Sequence, residues 1–226
     1  MKQEKSEAKL DTKEIILSSA LKLFREKGFD EATMRDIARA SKMAAGAAYY
    51  HFASKDDLVF VFYQGIEKAA TQRCDEFNAT TKNFNARLKD AFDFKINQLS
   101  KDRTLILALA RSAADPKNCL SPFSKESKEI RDRVIKMFED IIAGSDLKVS
   151  DSLRAELKNI LWLSYLGTIF FWAHDPSKNQ KLTEQLVGLT LKLTKDLVPL
   201  SRLPLTGPFQ KAIVKVSQTI MGLAQE

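Results

Sequence analysis

Apolar residues return at helical intervals through almost the whole chain. Ile16, Ala20, Leu23 and Phe24 stand at i, i+4, i+7 and i+8, behind Asp11 and Glu14, which have the spacing of a capping box. Lys27, Gly28 and Phe29 then supply a cation for the last turn, a residue free to turn left-handed, and an apolar side chain to fold back. This predicts a helix over 12–27, with residues 1–10 as a polar tail. Thr33 and Asp36 repeat the cap spacing before a short segment, 34–40, whose Met34, Ile37 and Ala38 share one face. The run AAGAAYYHF follows, and Ser54 and Asp57 open a fourth, longer periodic stretch.

The same period continues over 55–78, 84–100, 103–114, 124–143, 151–173 and 178–198. Breaks fall at Asn83, Asp115-Pro116, Ser121-Pro122, Gly144-Ser145 and Asp175-Pro176. Pro199, Pro204 and Pro208 frame a loop before a last amphipathic segment at 209–223. No stretch alternates as a strand would, so the fold class is all-α. The longest apolar run, Ile160 to Ala173, is shorter than the roughly 20 residues that span a bilayer and reads as a buried helix.

Composition narrows the function classes. With 226 residues, 44% hydrophobic and 29% charged, the chain can bury a full core. Cys74 and Cys119 are far apart and form no Cys-x-x-Cys pair, which argues against a disulfide scaffold or a cysteine-built zinc site. The mixed charges of the first residues do not resemble an export signal, so a cytoplasmic location is expected. Only His51 and His174 are present, neither beside a nucleophile motif, and no glycine-rich phosphate loop appears, so an enzyme is not expected. His174 next to Asp175 reads as a helix end rather than half of a metal site, and no cofactor is implied. The net charge of +7 suggests a polyanionic partner. However, residues 1–60 carry 8 Lys and 3 Arg against 5 Asp and 5 Glu, a local charge of only +1. Placement of a few groups therefore matters more than bulk charge.

Residues 33–52, TMRDIARASKMAAGAAYYHF, have the layout of a helix-turn-helix. With Ala20, Phe24, Gly28 and Phe29 before it, and Ser54, Lys55 and Leu58 after it, the segment resembles the TetR family of bacterial transcriptional regulators. Thr33, Ile37, Ala38, Ala40, Gly46, Tyr49, Tyr50, His51 and Phe52 carry the likeness at fixed offsets. The resemblance implies an N-terminal helix-turn-helix domain over 11–55 and a larger helical ligand-binding and dimerisation domain over 56–226. It implies a dimeric repressor that leaves its operator in double-stranded DNA when a small apolar or amphipathic molecule binds.

Within that frame Lys55, at a helix N-terminus beside its cap, is the strongest phosphate candidate. Tyr50 and His51 can donate to phosphates, and Thr33 is first a cap and second a phosphate donor. Arg35, Lys42 and Tyr50 are the side chains able to read bases, with apolar contact from Ala47 to thymine methyls. Ala45 and Tyr49 are counted with the DNA-binding residues of this segment, although Tyr49, like Phe52, reads more as core than as contact. Two departures stand out. Lys42 occupies the turn where the family usually has glycine, and Ala44 replaces the usual hydroxyl cap, whose loss costs about 1 kcal/mol.

For the second domain the resemblance is one of architecture. The segment 151–198 resembles the family's last helix pair, with Leu182, Leu186, Leu189 and Leu193 on one stripe, and would form a four-helix homodimer interface. An apolar pocket lined by Phe62, Phe92, Phe94, Phe123, Phe138, Trp162 and Tyr165 is expected between the helices. No membrane partner is expected. The alternative is a helical module that binds a protein partner or a membrane surface without reading DNA.

Overall fold

The computed structural model describes residues 2–115, 117–198, 201, 203 and 206–224. Among them stand ten α-helices and no strand: α1 (Lys2–Lys27), α2 (Met34–Ala40), α3 (Ala45–His51), α4 (Lys55–Asn78) and α5 (Phe84–Leu99). They are followed by α6 (Arg103–Ala113), α7 (Lys128–Ala143), α8 (Asp151–His174), α9 (Lys181–Leu197) and α10 (Gly207–Gly222).

The first helix ends as its sequence predicts. Gly28 adopts φ 91 and donates its amide to the Phe24 carbonyl at 3.1 Å, and Phe29 folds back edge-on against the Phe24 ring. Its beginning differs. The helix starts at Lys2, so Asp11 is interior and the Asp11–Glu14 spacing marks no cap. Lys, Gln, Glu and Ala in this stretch are strong helix formers, and no glycine or proline interrupts them.

Two buried clusters hold the helices. One joins Ile16, Ala20 and Phe24 of α1, Ile37 of α2, Ala48 of α3 and Leu58 and Phe62 of α4 to Leu105 and Leu109 of α6 and Trp172 of α8. The other packs Ala70 and Cys74 of α4, Leu88 and Phe92 of α5, Phe138 and Ile141 of α7, Trp162 and Tyr165 of α8, and Val187 of α9. Helices α1 to α4 thus share a core with α6 and the end of α8. An ion pair, Arg25 to Asp102 at 2.6 Å, fastens α1 to the turn that opens α6.

Three expected boundaries move. The helix expected from 124 begins at Lys128, because serines tie up the preceding backbone. Ser124 donates to the Cys119 carbonyl at 2.7 Å, and Arg131 donates to the carbonyls of Pro122 and Ser124. The helix expected from 178 begins at Lys181, because Asn179 and Gln180 are left-handed. The last helix runs over Gly207–Gly222 with Pro208 in its first turn; Pro199 and Pro204 lie outside the described residues. This helix lies on α8 with Ser217 buried and Met221 packed on the second cluster, Gln218 donating to Glu156 at 3.2 Å from the exposed side, and leaves Phe209, Val216 and Leu223 exposed.

Asp175 organises the turn between α8 and α9. Its buried carboxylate accepts from the Ser177 and Thr183 amides at 2.9 Å each and from the Thr183 hydroxyl at 2.7 Å. Arg103 donates to its backbone carbonyl. Burial pushes the carboxyl upward, but the hydrogen bonds from Ser177 and Thr183 outweigh it and hold the group well below the ordinary aspartate value. A depressed folded pKa supplies stability that is complete above the unfolded value, about 3.9, and is lost as pH falls below it. Asp175→Asn should therefore lower Tm at neutral pH, with a deficit that shrinks between about pH 5 and about pH 2. A constant deficit over that range contradicts this role.

Candidate functional site

The helix-turn-helix is built from local interactions. Thr33 caps α2 in a full capping box: its hydroxyl oxygen accepts from the Asp36 amide at 3.1 Å, and its own amide donates to the Asp36 carboxylate at 3.3 Å. The hydroxyl proton also goes to Asp36, at 2.8 Å. Those bonds, with Lys27 and Arg39 nearby, hold the Asp36 carboxyl below its usual range. The cap reading of Thr33 thus accounts for its hydroxyl, and the phosphate role has no proton left to use.

The turn carries both departures noted in the sequence. Lys42 is left-handed at φ 58, the conformation that favours glycine, and its side chain is exposed. Ala44 is the N-cap of α3 and makes no side-chain cap bond.

On α3, Ala48 and the following Phe52 point into the core, with Met43 packed beside them. Ala45 and Gly46 are exposed and Ala47 is half-buried. Tyr50 is 72% exposed and Tyr49 is 49% exposed. The core reading of Tyr49 is therefore corrected: its ring lies outward, because Ala48 and Phe52, four residues apart, already occupy the inward face. His51 is half-buried and edge-on to Tyr50, with its Nδ1 buried and lacking a hydrogen-bond partner. Arg35 is exposed on the outer side of α2. A Cβ built on Gly46 would meet nothing within 4 Å, so packing inside the chain does not require a glycine there.

The structure gives Lys55 a different employment from the one expected. Its ammonium donates to the carbonyls of Phe29 at 2.7 Å and Asp30 at 3.1 Å and lies 4.6 Å from the centre of the Phe29 ring. Two of its three N–H groups therefore hold the end of α1 against the start of α4. Nothing in the sequence marked those acceptors, which are backbone atoms 25 and 26 residues away.

A cavity of about 400 Å³ lies between the two core clusters. Phe123, Trp162 and Tyr165 line it as expected, the first two edge-on to one another. Phe62, Phe92, Phe94 and Phe138 do not. Phe62, Phe92 and Phe138 are buried core and Phe94 packs at its edge. Aromatic spacing alone could not separate a lining ring from a packed one, since both sit on the inward face.

The wall also holds charged groups that aromatic content did not reveal: Glu67 of α4, Lys95 of α5 and Arg131 of α7. Lys95 is buried and donates to Glu67 at 2.7 Å; burial lowers its pKa, against the pull of the Glu67 carboxylate. A signal was present, because Lys95 continues the apolar stripe Leu88, Ala91 and Phe92, and Arg131 precedes Val134 and Phe138 on theirs. A charge at such a position must be paired or face a cavity.

A helix-turn-helix with an exposed recognition face, joined to a helical bundle around an apolar cavity, defines a ligand-responsive class of DNA-binding regulator. Residues 16–61 match the family described as "Bacterial regulatory proteins, tetR family", and residues 87–213 match "Tetracyclin repressor-like, C-terminal domain". The chain belongs to the TetR family of transcriptional regulators. It is 25% identical over 172 residues to the uncharacterized HTH-type transcriptional regulator YhgD of Bacillus subtilis, covering 74% of this chain and 88% of that protein. Over 51 residues it is 39% identical to the HTH-type transcriptional regulator HbdR of Aromatoleum sp., but that match spans only 23% of this chain and 22% of HbdR. Thermus thermophilus FadR, a repressor solved with lauroyl-CoA, shares the fold with a TM-score of 0.62 at 17% identity, over 84% of this chain and 95% of that one.

The left-handed Lys42 generates a stability prediction. Lys42→Gly should raise stability by about 1 kcal/mol, read from denaturant unfolding, by removing the strain of a Cβ at positive φ. No gain would mean that the turn is held at no cost.

Proposed function

We propose that this protein is a dimeric repressor that binds an operator through α2 and α3 and leaves it when a small apolar or amphipathic molecule fills the cavity. Residues 11–55 act as the DNA-contacting unit and 56–226 as the ligand and dimerisation unit. The observation that carries this reading is one of shared packing: Ile66, Leu99, Ile106 and Leu120 belong to the cluster under the helix-turn-helix and also line the cavity. A molecule that displaces them changes the support of α1 and α4, and so the separation of two recognition helices in a dimer.

On the DNA side Arg35, Lys42 and Tyr50 read bases or nearby phosphates, with Tyr49 and His51 at the margin, while Thr33 serves as the cap that holds α2 in place. Ala45 and Ala47 allow close apolar approach, to which the open space around Gly46 contributes. Lys55 orders the α1–α4 junction rather than leading the phosphate contacts. With so few polar groups on α3, operator shape carries much of the specificity. The second copy covers the exposed Phe170 of α8 and Leu182, Leu189 and Leu193 of α9, which form an apolar face in the single chain. No helix among the described residues is long and apolar enough to cross a membrane, and no catalytic step enters the mechanism.

Selection of bound DNA from a random pool tests the reading, with ultracentrifugation of the free protein. The expected result is a two-fold symmetric site with half-sites about 34–36 Å apart, or a multiple of one helical turn, bound by a dimer. No enriched sequence, or a monomer at micromolar concentration, overturns it.

A further inference from the structure

The polar groups in the cavity wall constrain what can occupy it. Glu67 and Lys95 neutralise one another, Glu67 Oε1 accepting from the Lys95 ammonium at 2.7 Å. The other carboxylate oxygen, Glu67 Oε2, is buried with no hydrogen-bond partner, and so is the hydroxyl of Tyr165. Tyr165 is 2% exposed, its ring packed edge-on against Phe92 and Phe138, and the Lys95 ammonium lies 5.6 Å from its centre. Burial and the nearby Glu67 charge both push the Tyr165 phenol upward, so it stays protonated and able to donate. Arg131, the third charge, already donates through one nitrogen to the carbonyls of Pro122 and Ser124.

A buried polar atom without a partner is costly, and two of them beside one apolar cavity describe a missing group. Glu67 Oε2 can only accept, and the Tyr165 hydroxyl can donate. The Tyr165 hydroxyl can also accept, so the ligand must donate to Glu67 Oε2. A neutral alcohol or amide does so while accepting from Tyr165, and adds no charge beside the Glu67–Lys95 pair. A carboxylate offers no donor and would meet the Glu67 charge. An ammonium would bring a second cation beside Lys95, which already neutralises Glu67. A plain hydrocarbon leaves both atoms as they are.

We infer that the ligand of this cavity is a neutral amphiphile, a mainly apolar molecule bearing an alcohol, phenol or amide group held between Glu67 and Tyr165. This rests on the reading of the cavity as the regulator's ligand site, and it adds the chemical class. Glu67 and Tyr165 reach the cavity from α4 and α8, so the polar group bridges the helix that follows the helix-turn-helix and the long helix that runs through both core clusters.

Calorimetric titration of the full chain with four ten-carbon probes, 1-decanol, decanoic acid, decylamine and decane, tests the inference. The alcohol should bind tightest. Tyr165→Phe, which keeps the ring contacts, should weaken the alcohol about tenfold, leave the hydrocarbon unchanged, and leave Tm at or above that of the parent. Glu67→Gln, which alters the pairing of buried Lys95, serves as a second variant and should also weaken the alcohol, provided its Tm shows that it folds.

Tighter binding of the acid would move recognition to Arg131 and overturn the inference. Equal binding of alcohol and hydrocarbon, or of alcohol to parent and Tyr165→Phe, would mean that the two groups take no part, and overturns it as well. Binding of none of the probes does the same. Operator affinity measured with and without 1-decanol separates this from the proposed function: alcohol binding that leaves DNA affinity unchanged sinks the release mechanism and leaves the ligand class standing.

Discussion

The structure depends on one buried cluster that has two faces. Ile66, Leu99, Ile106 and Leu120 pack with Ile16, Phe24, Ile37 and Phe52 on the side of the DNA-facing helices, and border the cavity on the other side. Protein interiors are packed too densely for such residues to shift on one side only. The cluster therefore supports α2 and α3 in the only way a short helix pair can be supported, by burial against longer helices. It also places the cavity one layer of packed side chains from them, which is the route of the proposed release. Arg25–Asp102 ties α1 to the turn before α6, and the Lys55 contacts tie the end of α1 to α4.

That arrangement explains where polar groups are tolerated. Asp175 is buried but fully engaged, and it orders the step from α8 to α9. Arg87, also buried, donates to the carbonyls of Thr81 and Asn78 at 2.7 Å each, beyond and at the end of α4, and lies so close to Gly144 that a Cβ there would come within 2.6 Å of it. These charges tie ends of the chain together. Glu67 and Lys95 differ, since they face a cavity and leave one acceptor unused. A buried ion pair contributes little net stability once its desolvation is counted, so its place in an otherwise apolar wall points to recognition more than to folding.

Much of this was legible in the chain. The helix-turn-helix bounds, 34–40 and the start of α4 at residue 55, follow from cap spacings that act within four residues, and the structure keeps them. Lys42 and Ala44 stood out only through the family resemblance, as departures in the turn and at the cap, and the structure gives Lys42 a left-handed backbone and Ala44 no side-chain cap bond. What the sequence did not yield depends on distance. Lys55 meets carbonyls of a segment it approaches only after folding, and whether Phe92 or Phe123 borders empty space depends on the relative tilt of helices. The orientation of Tyr49 is instructive: helical spacing of an aromatic points to core, while Ala48 beside it is the residue that α3 buries. The most informative overlooked signal was charge on an apolar stripe, at Lys95 and Arg131, which periodicity displays and hydrophobic content conceals.

The central claim is that cavity and recognition helices share one packing arrangement, and it can be tested without knowing the ligand. Ala110 of α6 lines the cavity, so Ala110→Trp places a large side chain where a ligand would lie. Operator affinity at fixed salt should fall by about tenfold, within the usual range of coupling between two sites, while helical content and dimerisation are retained. Unchanged affinity in a folded dimer whose cavity has been filled would contradict the account.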